Sequence, residues 1–234
     1  MPEAFTLTRL TRLDARLVPH DWAWARDNAA AIAAHWAARK AAKPALFDGR
    51  VLLSCACTVT EGACRIDLFE VAFSEFLAFR EGGSPDPAVA NAFAAVVPWS
   101  RDGAVVLGVM GQETANAGQV YFPCGTPDRS DIRRDGQVDL EGSATREFRE
   151  ETGLSVPLGA PSEWLLVSGE GQHAFLHPVH MPEEAAGLIA RMEEHRAAQA
   201  EPELAGFVAT RSRADLDADR MPGFVRAYLN TVYR

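Results

Sequence analysis

The sequence has no apolar run approaching the roughly 18 to 20 residues that a bilayer span needs, so a transmembrane protein is not expected. Cysteine is scarce: Cys55, Cys57, Cys64 and Cys124 are the only four. They form neither a CxxC pair nor a second ligand cluster, which argues against a zinc site and for reduced, buried thiols. Positive charge is also short, with 23 Lys+Arg against 32 Asp+Glu and a net charge of -9. Such a balance disfavours nonspecific binding to nucleic acid backbones or anionic lipid. The opening Met1-Pro2-Glu3-Ala4-Phe5 shows no basic region leading into an apolar stretch, so no secretory signal is expected and a cytoplasmic location is. Internal repeats and low-complexity tracts are missing as well.

What remains is the composition of an ordinary folded chain, 47% hydrophobic and 24% charged over 234 residues, enough for one large domain or a catalytic domain with an appendage. Alanines and tryptophans over residues 21–42 predict a helix with one apolar face. Strands are predicted over 51–59 and 64–71 around a Glu61-Gly62 turn, and a short helix over 74–80. Residues 82–87, rich in Gly and Pro, mark the expected border between an N-terminal α/β extension, 1–86, and a catalytic domain, 87–234. Beyond it the pattern predicts strands at 92–99, 104–110 and 118–123, then a long polar loop and a helix at 143–152. Strands at 164–168 and 173–179, a helix at 182–200, a strand at 204–210 and helices at 214–220 and 223–233 follow. The fold class expected is α+β, a mixed sheet between helical layers.

Chemistry concentrates in Arg146-Glu147-Phe148-Arg149-Glu150-Glu151-Thr152-Gly153-Leu154. At about 100° per residue, Glu147, Glu150 and Glu151 share an arc of roughly 100° on one helix face. Phe148 points elsewhere, toward a core, and Gly153 suits a left-handed helix end. For an isolated helix the arrangement is poor, since the glutamates meet the negative pole of the helix dipole and Glu147/Glu151 is a like-charge i,i+4 pair. A hard divalent cation would relieve it, because Mg²⁺ takes carboxylates, waters and phosphate oxygens together. Charge content alone fits a solvated helix face equally well, with Arg146 and Glu150 as an i,i+4 pair.

The order of residue types decides for chemistry. The segment resembles the second half of the Nudix signature, Arg-Glu-apolar-x-Glu-Glu-x-Gly-apolar, at every specified position. Tyr121-Phe122-Pro123-Cys124-Gly125 is similar to the Phe-Pro-Gly-Gly run that opens the family's loop-helix-loop. The resemblance implies an α/β/α sandwich with an N-terminal extension here. It also implies a Mg²⁺-dependent hydrolase, with Mn²⁺ as the alternative ion, acting on a small-molecule nucleoside diphosphate linked to another moiety. By it, Glu147, Glu150 and Glu151 bind or position metal, Arg146 orients them, and Cys124, standing where the family has glycine, offers its backbone carbonyl to metal. The spacing departs from the family: twenty residues separate Gly125 and Arg146, where thirteen are usual. The register of the family's upstream glutamate therefore falls on Val138, with Asp139 and Glu141 as substitutes between which the sequence does not choose. The inserted loop, 126–141, fails as an EF-hand: read from Asp131, Arg133 and Gly142 fall where oxygen ligands belong. A solvated loop shaping the pocket is expected instead.

A looser likeness involves Ala45-Leu46-Phe47-Asp48-Gly49, Phe73-Ser74-Glu75-Phe76-Leu77 and the lengthened loop. These are similar to the Nudix subgroup that hydrolyses UDP-glucose and UDP-galactose, which implies UMP and sugar 1-phosphate as products. ADP-ribose or a dinucleotide is the alternative substrate, and a nucleotide-binding module without catalysis the alternative class. As general base outside the helix the candidates are Glu203, just before a strand, and Glu170, in a turn. His173, His177 and His180 fit strand surface or core better than ligand roles. The N-terminal part would either cap the pocket or form a homodimer contact.

Overall fold

The computed structural model describes residues 5–233; residues 1–4, where the absence of a signal was read, and residue 234 lie outside the described residues. The chain begins with β1 (Thr6–Leu10), β2 (Arg12–Leu17), α1 (Ala23–Asp27), α2 (Ala29–Ala42), β3 (Arg50–Thr60), β4 (Ala63–Ala72) and α3 (Phe73–Glu81). It continues with β5 (Ala90–Trp99), β6 (Val105–Met110), β7 (Val120–Tyr121), β8 (Cys124–Gly125) and α4 (Leu140–Thr152). The remainder is β9 (Trp164–Gly169), β10 (Gln172–His180), α5 (Ala185–Ala198), β11 (Leu204–Thr210) and α6 (Gly223–Val232).

Among the described residues all eleven strands join one sheet, whose main path runs β1-β9-β10-β5-β3-β4-β2, with β6 bridging β5, β7 and β11, and β8 lying on β5. Pairing is parallel between β10 and β5 and between β2 and β4, and antiparallel elsewhere, so the expected mixed sheet is what forms. The path ends in β1 and β2, consecutive strands joined through Thr11 alone. The Glu61-Gly62 turn is present, with φ of 51° and 80°, the paired left-handed geometry that matches strand twist in a two-residue hairpin. Strands from both sides of residues 82–87 bond directly, Leu53 opposite Asn91 and Ser54 opposite Ala90.

Alternation along β3 and β4 fills two cores. Leu52, Ile66 and Leu68 enter the main cluster with Phe148, Phe175 and Tyr228. Their neighbours Leu53, Phe69 and Val71 join Trp22, Phe76 and Phe79 in a second cluster beneath α1 to α3, because successive side chains on a strand face opposite ways. Each such large apolar side chain contributes about 1.5–3 kcal/mol when fully buried. Strands β3 and β4 are therefore interior to the fold.

The structure departs from the sequence reading in several places. Strands β1 and β2 were not expected. The expected helix over 214–220 is only a 3₁₀ turn, Arg213–Asp215; the Asp217 carboxylate takes the backbone N–H groups of Asp219 and Arg220 and so competes with helical bonding. The strand over 118–123 shrinks to Val120–Tyr121, since Pro123 has no N–H for the ladder. Helix α4 begins earlier than expected because the Asp139 carboxylate accepts the Gly142 N–H at 2.9 Å and caps it. Nor is the loop 126–141 simply solvated. Val138 N–H donates to the Ala15 carbonyl, Leu17 N–H to Gly136 and Leu52 N–H to Pro127, which ties it to β2 and β3.

Candidate functional site

Helix α4 presents Leu140, Ala144 and Phe148 to the core at i,i+4 spacing and packs on β5, β8 and α5. It ends at Gly153, which is left-handed with φ 70°. That placement turns the three glutamates in three different ways. Glu151 is buried, its residue 8% exposed. The Glu147 side chain is largely covered and that of Glu150 is exposed. Glu147 lies against Gly125 of β8; a Cβ there would fall 2.7 Å from the carboxylate carbon and push the carboxylate from its place beside Arg146.

Arg146 organises the N-terminal side of the group. Its guanidinium donates to Glu147 Oε1 at 2.6 Å and to Asp131 at 3.0 and 3.3 Å, and stands 3.5 Å from Glu150 Oε2. Asp131 is the residue that sequence reasoning missed. It is buried, and it also accepts from Ser143 Oγ at 3.1 Å and from the Asp128 N–H at 3.0 Å. The two substitutes weighed from the sequence line a cavity shared with Arg146 and Glu150: Asp139 caps α4 and pairs with Arg133 at 2.8 Å, and Glu141 is exposed. The signal available in the sequence was the carboxylate-rich stretch 128–139, but nothing local marks which of its aspartates turns inward.

Electrostatics gathers the remaining candidates. Burial pushes the Glu151 carboxyl well above its ordinary pKa, and the negative charges of Glu147, Glu203 and Glu150 add to the shift. Burial likewise raises Glu147, opposed by Arg146 and reinforced by Glu150 and Glu203. Glu203, just before β11, is thus near enough for its charge to act on Glu147 and Glu151, and its carbonyl accepts the Gly111 N–H at 2.8 Å. Glu170 does not join them. It sits in the left-handed turn between β9 and β10, lining a separate cavity of about 730 Å³.

Cys124 stands beside the cluster, its thiol raised well above the usual range by burial and then by Glu151 and Glu147. It is held as neutral S–H, unsuited to act as a thiolate. His177 bonds the Glu163 carbonyl and stacks on Trp164, His173 bonds Ser168, and His180 is exposed beside Trp99. None of the three faces the glutamates.

Among the described residues, no three His, Cys, Asp or Glu side chains are already drawn together into a metal-binding group. The glutamates are neighbours rather than a finished cage, because Arg146 holds Glu147 and like charges repel. One atom is nevertheless unfinished: Glu151 Oε2 is fully buried and has no hydrogen-bond partner. A buried carboxylate oxygen without a partner is costly, and a hard cation is a partner of the right chemistry. No described helix is long and apolar enough to cross a membrane.

No family model and no curated protein matches this chain. Among solved structures it is similar to a Nudix hydrolase from M. Smegmatis, RenU, at 16% identity and a TM-score of 0.37, over 60% of this chain and 81% of that one. It is also similar to the MutT protein from Methanosarcina mazei Go1, at 13% identity and a TM-score of 0.36, over 61% and 93% of the two chains. A third likeness is to the E. coli ORF135 protein, at 22% identity and a TM-score of 0.29, over 51% and 74%.

Proposed function

We propose that this chain is a Nudix-type hydrolase that cleaves the diphosphate of a nucleoside diphosphate linked to another moiety, with Mg²⁺ as its ion and Mn²⁺ as the alternative. The observation that carries the reading is the buried, partnerless oxygen of Glu151 amid Glu147, Glu150 and Glu203, on a helix whose residue order resembles the family signature. Glu147 and Glu151 would hold the ion, with Glu150 and the Cys124 backbone carbonyl as further ligands. When bound, the ion supplies neutralising charge for phosphate oxygens and lowers the pKa of water.

The protein's own groups do the rest. Asp131 fixes Arg146, and Arg146 fixes Glu147, so the carboxylate waits in one orientation rather than paying for it at each turnover. Glu203, exposed at the rim, is placed to accept the proton of the attacking water. Cys124, neutral, forms no covalent bond to phosphorus. All of these residues fall in 87–234, which we take as the catalytic portion, with 1–86 supplying strands that complete its sheet.

For the substrate, the likeness of residues 45–49 and 73–77 to the UDP-sugar subgroup favours a UDP-sugar, split to UMP and sugar 1-phosphate; ADP-ribose and dinucleotides are the competitors. The test is incubation of the purified protein with UDP-sugars, ADP-ribose and dinucleotides plus Mg²⁺ or Mn²⁺, with products identified by mass. Release of two phosphate esters from one compound, lost in Glu151→Gln, supports the reading. No cleavage of any compound, or near-normal turnover by Glu151→Gln, overturns it.

A further inference from the structure

A second cavity, of about 200 Å³, opens beside the carboxylates, with Cys124 and Gly125 as their common wall. Arg80, at the end of α3, lines it together with Asn91 and Gln172, and the same three residues border the larger cavity that holds Glu170. This arginine is half-buried, yet among the described residues its guanidinium has neither an ion pair nor a hydrogen bond; it lies over the Phe76 ring, 5.4 Å from Cζ to centroid. The other half-buried arginines are all engaged. Arg39 meets Glu81, Arg146 meets Asp131, Arg196 meets Glu193, and Arg226 donates to the Met221 carbonyl. Burial pulls the Arg80 pKa below its ordinary value, although an arginine stays protonated.

Some of the cavity's other polar groups are unfinished too. Asn91 Oδ1 is fully buried without a partner. The side-chain amides of Gln119 and Gln172 make no hydrogen bond within the described protein, while Tyr121 is engaged by Asn116 at 2.9 Å. Phe224, packed edge-on to Phe93, supplies an apolar wall. A fold that engages its other half-buried arginines but leaves one without any polar partner, bordering an open cavity beside an orphaned amide, has left positions for a ligand.

We propose that this cavity is the recognition subsite for one half of the substrate, a phosphate ester bearing hydroxyl or amine donors, whose phosphate oxygens pair with the Arg80 fork while a donor meets Asn91. Arginine matches phosphate geometry with two parallel N–H groups, and a desolvated charge gains most from such a partner. The location rests on the diphosphate reading, since it sets the subsite one wall away from the glutamates; the binding chemistry does not. A nucleoside monophosphate and a sugar phosphate share that chemistry.

Calorimetric titration of the full chain, with and without Mg²⁺, separates the sources: UMP, AMP, glucose 1-phosphate and inorganic phosphate against uridine, adenosine and glucose. At least one phosphate ester is expected to bind, and Arg80→Gln to weaken it by about tenfold or more. Arg80→Lys should recover part of the loss, and binding of the neutral compounds should stay unchanged. In the absence of ligand Arg80→Gln should melt at the wild-type temperature or above, as the loss of a bare buried charge requires. The proposal is overturned if no phosphate ester binds, if Arg80→Gln binds it as tightly as wild type, or if Arg80→Gln melts lower and Arg80→Lys restores the melt, which would make the arginine structural. Glu151→Gln should abolish turnover and keep this binding; a chain that binds the ester yet hydrolyses nothing would remove the hydrolase reading and leave the subsite.

Discussion

Two buried carboxylates on either side of Arg146 have opposite fates. Asp131 and Glu151 are almost equally hidden, 6% and 8% exposed. Asp131 accepts hydrogen bonds from an arginine, a hydroxyl and a backbone N–H; Glu151 Oε2 accepts none. Burial is thus not what separates a structural acid from a functional one in this protein. Completion is: the first site is closed by the chain itself, and the second waits for something the chain does not contain.

Substitutions should pull the two apart. The largest effect expected is on turnover by Glu151→Gln, a loss of about 10³-fold, or roughly 4 kcal/mol at 1.36 kcal/mol per decade. Its thermal midpoint should hold or rise, because a bare buried charge disappears; a marked drop in the melt would make Glu151 structural and erase the contrast. Asp131→Ala should do the reverse, lowering stability by about 3 kcal/mol, the low end for breaking a buried pair because Arg146 keeps some solvent. Denaturant titration measures this, and an unchanged midpoint would mean that Asp131 holds nothing.

Mg²⁺ should sharpen the comparison next. At a hundred times its dissociation constant it should stabilise wild type by about 2.7 kcal/mol, reversibly on chelation, with little effect on Glu151→Gln. An equal shift in both proteins would place the ion elsewhere. The smallest effects concern the rim: Glu203→Gln should slow turnover roughly tenfold, since water can stand in for an exposed base, and Glu170→Gln should leave rates unchanged. If the two variants exchanged behaviour in a steady-state assay, the base would have to be reassigned to the turn at Glu170.

What could be read from the sequence follows from how local each determinant is. Helix α4 and its glutamate face were legible because spacing and residue order lie within nine consecutive residues. So was the β3–β4 hairpin, whose turn sits in Glu61-Gly62. Asp131 was not, since its partner Arg146 is 15 residues away and aspartates in a polar loop look solvated until the loop is seen tied to β2 and β3. Arg80 carries no mark of its burial, since the residues that share its cavity come from β5, β7 and α6, far along the chain. For Glu203 the sequence offered only its place before a strand, and the position of that strand is set by the pairing of β11 with β6.

The first strands were hidden for the same reason, and their position has a consequence for how the molecule is made. Thr6 pairs with Ser168 and Leu17 with Leu68, so during synthesis β1 must wait for about 160 further residues before it finds its neighbour. Closing so long a span is slow, and until then β9 would show an open rim to other chains. Strands β1 and β2 therefore work as the clasp of a belt: removing residues 6–17 should leave the glutamates in place while making the protein slow to mature and prone to clump.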